Sequence, residues 1–381
     1  MYAHATLTSN LLADGTLQFR YCTVFARALR HSERIFRSAL VTGVVESIVR
    51  LVRTPDVLMQ MTALELLVSF AGTVSGMRYL LAEGLLTWLV GLAGGFEATN
   101  GMTADPYLGP EAVRCTAEIL PLVASSSAFT VLSAAPTTAD LTDSSRDDQR
   151  ALLEGFLRAM LLNIDSTADG SRYASLDAIA TFATSSATAL CWTLEHVELV
   201  RSWLLLLRSP KPELRGAVLL CIAHVVSSPI PVQAARHSLH ESALQDKGPE
   251  TEAVAAARRK LCVAVGQPHN LPTVRYLVNS ARQPVSESRR GACRMLAAMA
   301  KHAWGLQLLF ADASDGFYPY LQDYHGEHGQ QQKEWKFEVV AAVAASPGLL
   351  HLRNDVQAFV ALRLAQGPYF MPAELAEPMV I

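Results

Sequence analysis

The run YHGEHGQQQ sets His325 and His328 three residues apart beside Asp323 and Glu327, side-chain types that can hold a metal ion. On a helix, that spacing would bring both imidazoles to one face. Gly326 and Gly329 argue instead for a loop, and no third and fourth ligand is indicated, so a solvated polar loop is the preferred reading. His237 and His240 in ARHSLHES are read the same way, as surface polarity on a helix. No metal or other cofactor is expected.

A nucleophilic thiol would need a nearby cation or base in a partly open site. Cys221 and Cys293 occupy apolar positions of helical patterns instead, where core packing is the preferred role. Cys22, Cys115, Cys191 and Cys262 are scattered, with no CxxC pair among the six, which fits buried thiols in a reducing compartment. Phosphate-loop, dinucleotide, HExxH and GxSxG signatures are all missing. The expectation is a protein that is not an enzyme. Trp88 in LLTWLVGL and Trp203 in VRSWLLLL read as core residues.

Charge offers a better lead. Arg258, Arg259 and Lys260 form one basic run, and Arg289, Arg290 and Arg294 form another, followed by Lys301 and His302. Arg290 and Arg294 are four apart, share a helix face, and could present two guanidinium groups to a partner's carboxylates. The plainer reading of each run is an ordinary solvated face. Reversing the charge of Arg290 and Arg294 is expected to weaken partner binding without unfolding the chain. With 32 Lys and Arg against 35 Asp and Glu, the net charge of −3 gives no field to attract nucleic acid or an anionic membrane, so the expected partners are proteins.

The elements that would carry these residues are amphipathic helices. Leu64, Leu67, Val68 and Ala71, then Leu81, Leu85, Leu89 and Leu92, recur at helical spacing. No stretch alternates apolar and polar with β-branched enrichment. Half of the 381 residues are hydrophobic and 18% are charged, enough to bury a large core. The apolar stretch near Gly84 to Phe96 is too short to span a bilayer, and no secretory leader or glycosylation acceptor is read, so cytoplasm, and also nucleus, is the expected location.

Six Ala-rich segments share a pattern, aligned at Ala63, Thr116, Ser175, Ala217, Ala292 and Glu338, with steps of 53, 59, 42, 75 and 46 residues. Armadillo and HEAT units run about 40–47 residues, so the longer steps require insertions. Loops are expected near 97–110, 133–150 and 243–252. The 75-residue step hides one irregular unit, with helices in EAVAAARRKLCVAV and LPTVRYLVNSARQP. Small residues at the aligned positions suit helices whose backbones approach closely. Gly43, Gly84 and Gly316 each precede or follow a short apolar stretch, the pattern of a turn that opens the last helix of a unit. The fold class predicted is all-α, a HEAT/armadillo-like right-handed superhelical solenoid over 1–381, with about seven or eight irregular repeats.

In the last third, Trp304, Phe310, Gly316, Phe317, Lys336, Phe337 and Glu338, followed by Gly367, Pro368 and Tyr369, come in an order that resembles the family of the 26S proteasome non-ATPase regulatory subunit 5, a HEAT/armadillo-repeat assembly chaperone of the proteasome base. Asp56, Val57, Leu58, Glu65, Gly76, Tyr79, Leu80, Glu83 and Gly84 continue the resemblance upstream. It implies a scaffold that binds the carboxyl-terminal domain of one AAA ATPase subunit of the regulatory particle, engages base assembly intermediates, and is absent from the mature particle. It implies no catalysis. The residues expected to contact the partner are Arg258, Arg259, Arg289, Arg290, Arg294 and Lys336. The alternative is a generic armadillo/HEAT adaptor for transport or signalling, although the Asn and Trp ladder that recognises basic peptides is missing.

Overall fold

A computed structural model describes residues 15–30, 32–54, 56–95, 107–125, 141–229, 251–312, 316–324, 326–327 and 329–370. Every regular element among them is helical, in agreement with the all-α expectation. The chain divides into two compact units, Met1–Phe182 and Ala183–Ile381.

In the first unit, helices α1 (Gly15–Leu29), α2 (Glu33–Val41), α3 (Val44–Val52), α4 (Val57–Phe70), α5 (Val74–Ala82), α6 (Leu85–Ala93) and α7 (Leu108–Ser125) follow one another, then α8 (Leu141–Asp165) and α9 (Asp169–Thr184). Two short helices followed by a long one form a recurring triplet: α2, α3, α4, then α5, α6, α7. Polar residues start several of them. The Asp56 carboxylate accepts from the Leu58 and Met59 amides at 3.0 and 3.1 Å, and the Thr73 hydroxyl accepts from the Gly76 amide at 3.2 Å. Each such cap satisfies donors that the first turn leaves open and contributes about 1 kcal/mol. The long helices stack, α1 on α4 and α4 on α7. Phe36, Phe70 and Tyr79 pack edge to face with centroids 5.5–6.5 Å apart and tie α2, α4 and α5 together.

The short pairs turn on glycine at all three expected positions, but each glycine opens the middle helix of its triplet and not the last. Gly43, Gly84 and Gly316 have φ of +75°, +63° and +76° and precede α3, α6 and a later short helix. Around Gly84 and Gly316 a Cβ would meet no atom within 4 Å. The constraint there is torsional, because an L side chain resists the left-handed region.

The second unit holds α10 (Ala187–Glu195), α11 (Val197–Leu205), α12 (Pro212–Ser227), α13 (Glu252–Ala264), α14 (Thr273–Ala281), α15 (Ser286–Ala300), α16 (Ala303–Leu309), α17 (Phe317–Gln322), α18 (Gln330–Ala344) and α19 (Asn354–Gln366). The triplet returns twice, as α10, α11, α12 and as α16, α17, α18, with α13 and α14 as the irregular unit expected in the longest step. Long helices again stack: α12 on α15, α15 on α18. Where α12 and α15 cross, a Cβ on Gly291 would lie 2.7 Å from the Gly216 carbonyl oxygen, so neither glycine can grow without parting the helices.

Several expectations change in detail. The aligned positions do fall one to a long helix, and Ala63, Thr116, Ser175 and Ala292 are fully buried, but Ala217 and Glu338 are half-exposed. In α12 the close approach belongs to the neighbouring Gly216. Cys221, Cys293 and Trp203 are core as expected, whereas Trp88 is only half-buried. Residues 141–150, expected as loop, are the opening turns of α8. An acidic, Ser- and Thr-rich composition that suggests a loop also suits a helix amino terminus, whose dipole favours negative charge. Residues 97–106, 133–140 and 243–250 of the expected loops lie outside the described residues, as do His237, His240, His325 and His328.

Candidate functional site

The stacked long helices of the second unit form a groove. Leu220, Ala223, His224 and Ser227 come from α12, Arg294, Ala297, Ala298 and Lys301 from α15 and its end, and Glu338, Ala341 and Ala342 from α18. The groove encloses about 450 Å³. Its floor is alanine, since side chains at these positions must be short for three long helices to lie side by side. Polar groups stand on its rim. Arg294 and Glu338 approach to 3.2 Å across the α15/α18 boundary, with side chains 47% and 40% exposed. The approach lacks hydrogen-bond direction, and the covered Glu338 Oε2 makes no hydrogen bond. His224 exchanges a hydrogen bond with the Ser228 hydroxyl at 3.2 Å. Arg290, one turn before Arg294, and Lys301 are exposed and make no ion pair among the described residues.

The opposite flank of α15 is closed. Arg289 is 6% exposed, and its guanidinium donates to the Gln283 carbonyl at 2.9 Å, the Gly326 carbonyl at 2.9 Å and Gln332 Oε1 at 2.6 Å. Lys336, 4% exposed, donates to Glu327 at 3.0 and 3.2 Å and to the Asp323 carbonyl. Its ammonium also lies 4.7 Å from the centre of the Tyr320 ring. Burial pulls the Lys336 amine below its ordinary value, and the charge of Glu327 opposes that pull. The same burial pushes the Tyr320 hydroxyl well above its ordinary value and the Cys293 thiol up to about 11. Cys293 Sγ and the Tyr320 hydroxyl lie 3.4 Å apart. Arg289 and Lys336 together fasten the segment following α17 against α15 and α18.

The expected contact residues therefore divide. Arg258, Arg289 and Lys336 are buried and cannot form an open gripping surface. Arg258 faces inward from α13 and donates to the Ser228 carbonyl. Arg259, Arg290 and Arg294 are exposed, and Arg294 lines the groove. Glu338, Lys301 and His224 belong to the same rim and were not among the expected contacts. Their helical register, one per long helix, was the signal available.

In the first unit, Arg114 on α7 bridges to Glu65 on α4 at 3.0 Å and also pairs with Glu111 and Glu118 of its own helix. Among the described residues no three His, Cys, Asp or Glu side chains gather as a metal site would require, and no helix is long and apolar enough to cross a membrane.

Residues 265–379 match a protein family described as proteasome non-ATPase 26S subunit. The chain is 31% identical over 93 residues to the 26S proteasome non-ATPase regulatory subunit 5 of Bos taurus, a stretch covering 24% of this chain and 18% of the relative. With the Homo sapiens protein of the same name it shares 32% identity over 91 residues, covering 23% and 18%. The matched stretch is thus under a fifth of either relative's length. Among solved structures, an engineered protein aligns over 78% of this chain and 96% of its own, at 17% identity and a TM-score of 0.42. A designed armadillo repeat protein in complex with the peptide (KR)4 aligns over 78% and 98%, at 16% identity and a TM-score of 0.43.

Proposed function

We propose that this chain is a protein-binding scaffold of proteasome assembly, which grips the carboxyl-terminal domain of one AAA ATPase subunit of the regulatory particle, promotes assembly of the base, and leaves before the mature particle forms. It acts in the cytoplasm or nucleus and performs no catalysis of its own. The observation that carries this reading is the similarity of residues 265–379 to the proteasome non-ATPase family. That stretch includes α15 and α18, which supply two of the three walls of the groove. Stacked helices whose neighbours are their only contacts offer a long, continuous face on which a partner domain can lie.

The test is affinity purification of the full chain from native extract with mass spectrometry, followed by binary binding to each purified ATPase carboxyl-terminal domain. Recovery of one ATPase subunit with base intermediates, and without the mature particle, is the expected result. Recovery of no proteasome subunit overturns the reading and leaves the general adaptor for transport or signalling.

A further inference from the structure

We propose that the groove over α12, α15 and α18 receives an extended, acidic segment of a partner protein, and that Glu338 occupies on Arg294 the seat of one of that segment's carboxylates. This rests on the reading of the chain as a protein-gripping scaffold, and not on the identity of the partner.

Charge fixes the chemistry of the occupant. Arg294 and Lys301 line the groove and Arg290 stands one turn from Arg294, against Glu338 as its acidic lining residue. Among the described residues Glu338 is the one acid paired with these cations, and a guanidinium takes an entering carboxylate in two parallel hydrogen bonds. The resident Glu338 falls short of that geometry. It stands 3.2 Å from Arg294 without hydrogen-bond direction, and its covered oxygen is left unbonded. Both side chains remain nearly half-exposed, so exchange for a better-placed carboxylate requires rotamer changes and no opening of the core.

Shape selects an extended chain. Helices packed at axis separations of about 8–10 Å leave no gap between them, so an occupant lies across the alanine floor, where an extended backbone can approach closest. Three helices span roughly 20 Å, the reach of about six extended residues at about 3.3 Å each. The alanines at 223, 297, 298, 341 and 342 leave room for its backbone.

The experiment uses the full chain and three fluorescein-labelled decapeptides, in which alanine alternates with glutamate, glutamine or lysine, read by fluorescence anisotropy. The glutamate peptide is expected to bind at least about tenfold tighter than the glutamine peptide, a difference of about 1.4 kcal/mol, and to weaken as salt is raised. Glu338→Gln, which keeps the volume of the side chain, is expected to tighten the glutamate peptide about three- to tenfold by removing the internal competitor. Arg294→Gln is expected to weaken it about tenfold and to leave the glutamine peptide unchanged. Thermal unfolding by circular dichroism shows that each variant is folded, and Arg294→Lys, which retains the charge, keeps part of the affinity should Arg294→Gln melt early. Equal binding of the glutamate and glutamine peptides, preference for lysine, or an unchanged or weaker glutamate peptide with Glu338→Gln overturns the proposal. If the peptide pattern holds while purification recovers no proteasome subunit, the assignment of the partner falls and the groove inference stands. If an ATPase domain binds wild type and Glu338→Gln alike and the peptides do not discriminate, the inference falls and the assignment stands.

Discussion

Arg289 and Arg290 are chain neighbours on α15, and about 100° of helix rotation gives them opposite fates. Arg289 turns toward the segment after α17, where carbonyls and Gln332 take up its donors, and beside it Lys336 is enclosed with Glu327. Arg290 is exposed, as is Arg294 one turn on, which lines the groove with Lys301 and faces Glu338. The first unit shows the closed condition at a surface: Arg114 bridges two long helices as Arg294 does, yet three glutamates surround it. One molecule thus contains cations whose partners are complete and cations whose partners are not. The first kind hold the fold, and the second kind are what a partner protein can use.

Destabilisation should follow closure, and four substitutions grade it from strongest to weakest. Lys336→Met leaves the Glu327 carboxylate buried without its ammonium, and chemical denaturation should show a loss of about 3–5 kcal/mol, the range for breaking a buried pair. Adding Glu327→Gln should recover most of that loss, because the unpaired charge is then gone. A double variant as unstable as the single one would mean that the pair is not what the cluster depends on.

Arg289→Ala should follow, at about 2–3 kcal/mol, by stranding buried carbonyl acceptors. A pH series reads the same interior. The Cys115, Cys262 and Cys293 thiols and the Tyr320 hydroxyl are all held above their ordinary values by burial, so the folded chain keeps protons that the unfolded chain releases. Their contribution is complete below about pH 9, the ordinary thiol range; above it the three thiols begin to lose theirs, the Cys293 share being gone by its value of about 11, and Tyr320 follows above its ordinary value of about 10. Lys336 has the opposite sign, since its lowered value means that the unfolded chain binds the proton more tightly. Four groups outweigh one, and the melting temperature should fall between pH 9 and pH 11.

Arg114→Ala should cost about 1 kcal/mol, because its pairs are partly exposed and screened by solvent. Arg290→Ala should sit at the bottom of the scale, within about 0.5 kcal/mol of wild type. A loss at Arg290 equal to that at Arg289 would erase the distinction between the two flanks of α15.

The sequence made some of this legible and hid the rest for physical reasons. Helical spacing located α4, α12 and α15, and the Gly43, Gly84 and Gly316 turns were readable because few residues other than glycine suit a left-handed backbone. The two basic runs were found, but their burial was not. Arg289 is enclosed by Gly326 and Gln332, which lie some forty residues downstream, and no local pattern states which flank of a helix a later segment will cover. The long-helix contact in α12 was placed one residue off because alanine and glycine serve equally in a small-residue pattern, and only the 2.7 Å approach at Gly291 separates them. The groove was missed as an object since its members are spread over α12, α15 and α18, each contributing four or fewer residues.

The glycine turns carry one further consequence, in the language of chirality. At Gly84 and Gly316 there is space for a methyl group, and what the backbone refuses is its handedness. A mirror-image alanine prefers the positive φ found there, so D-alanine placed by chemical ligation at the exposed Gly84 would sit without torsional strain. By restricting the unfolded chain it should add about 0.4–1 kcal/mol, where L-alanine at the same position subtracts. The joints of this repeat are thus selected for the mirror image of ordinary backbone, and glycine stands there as the one encoded residue that has no hand.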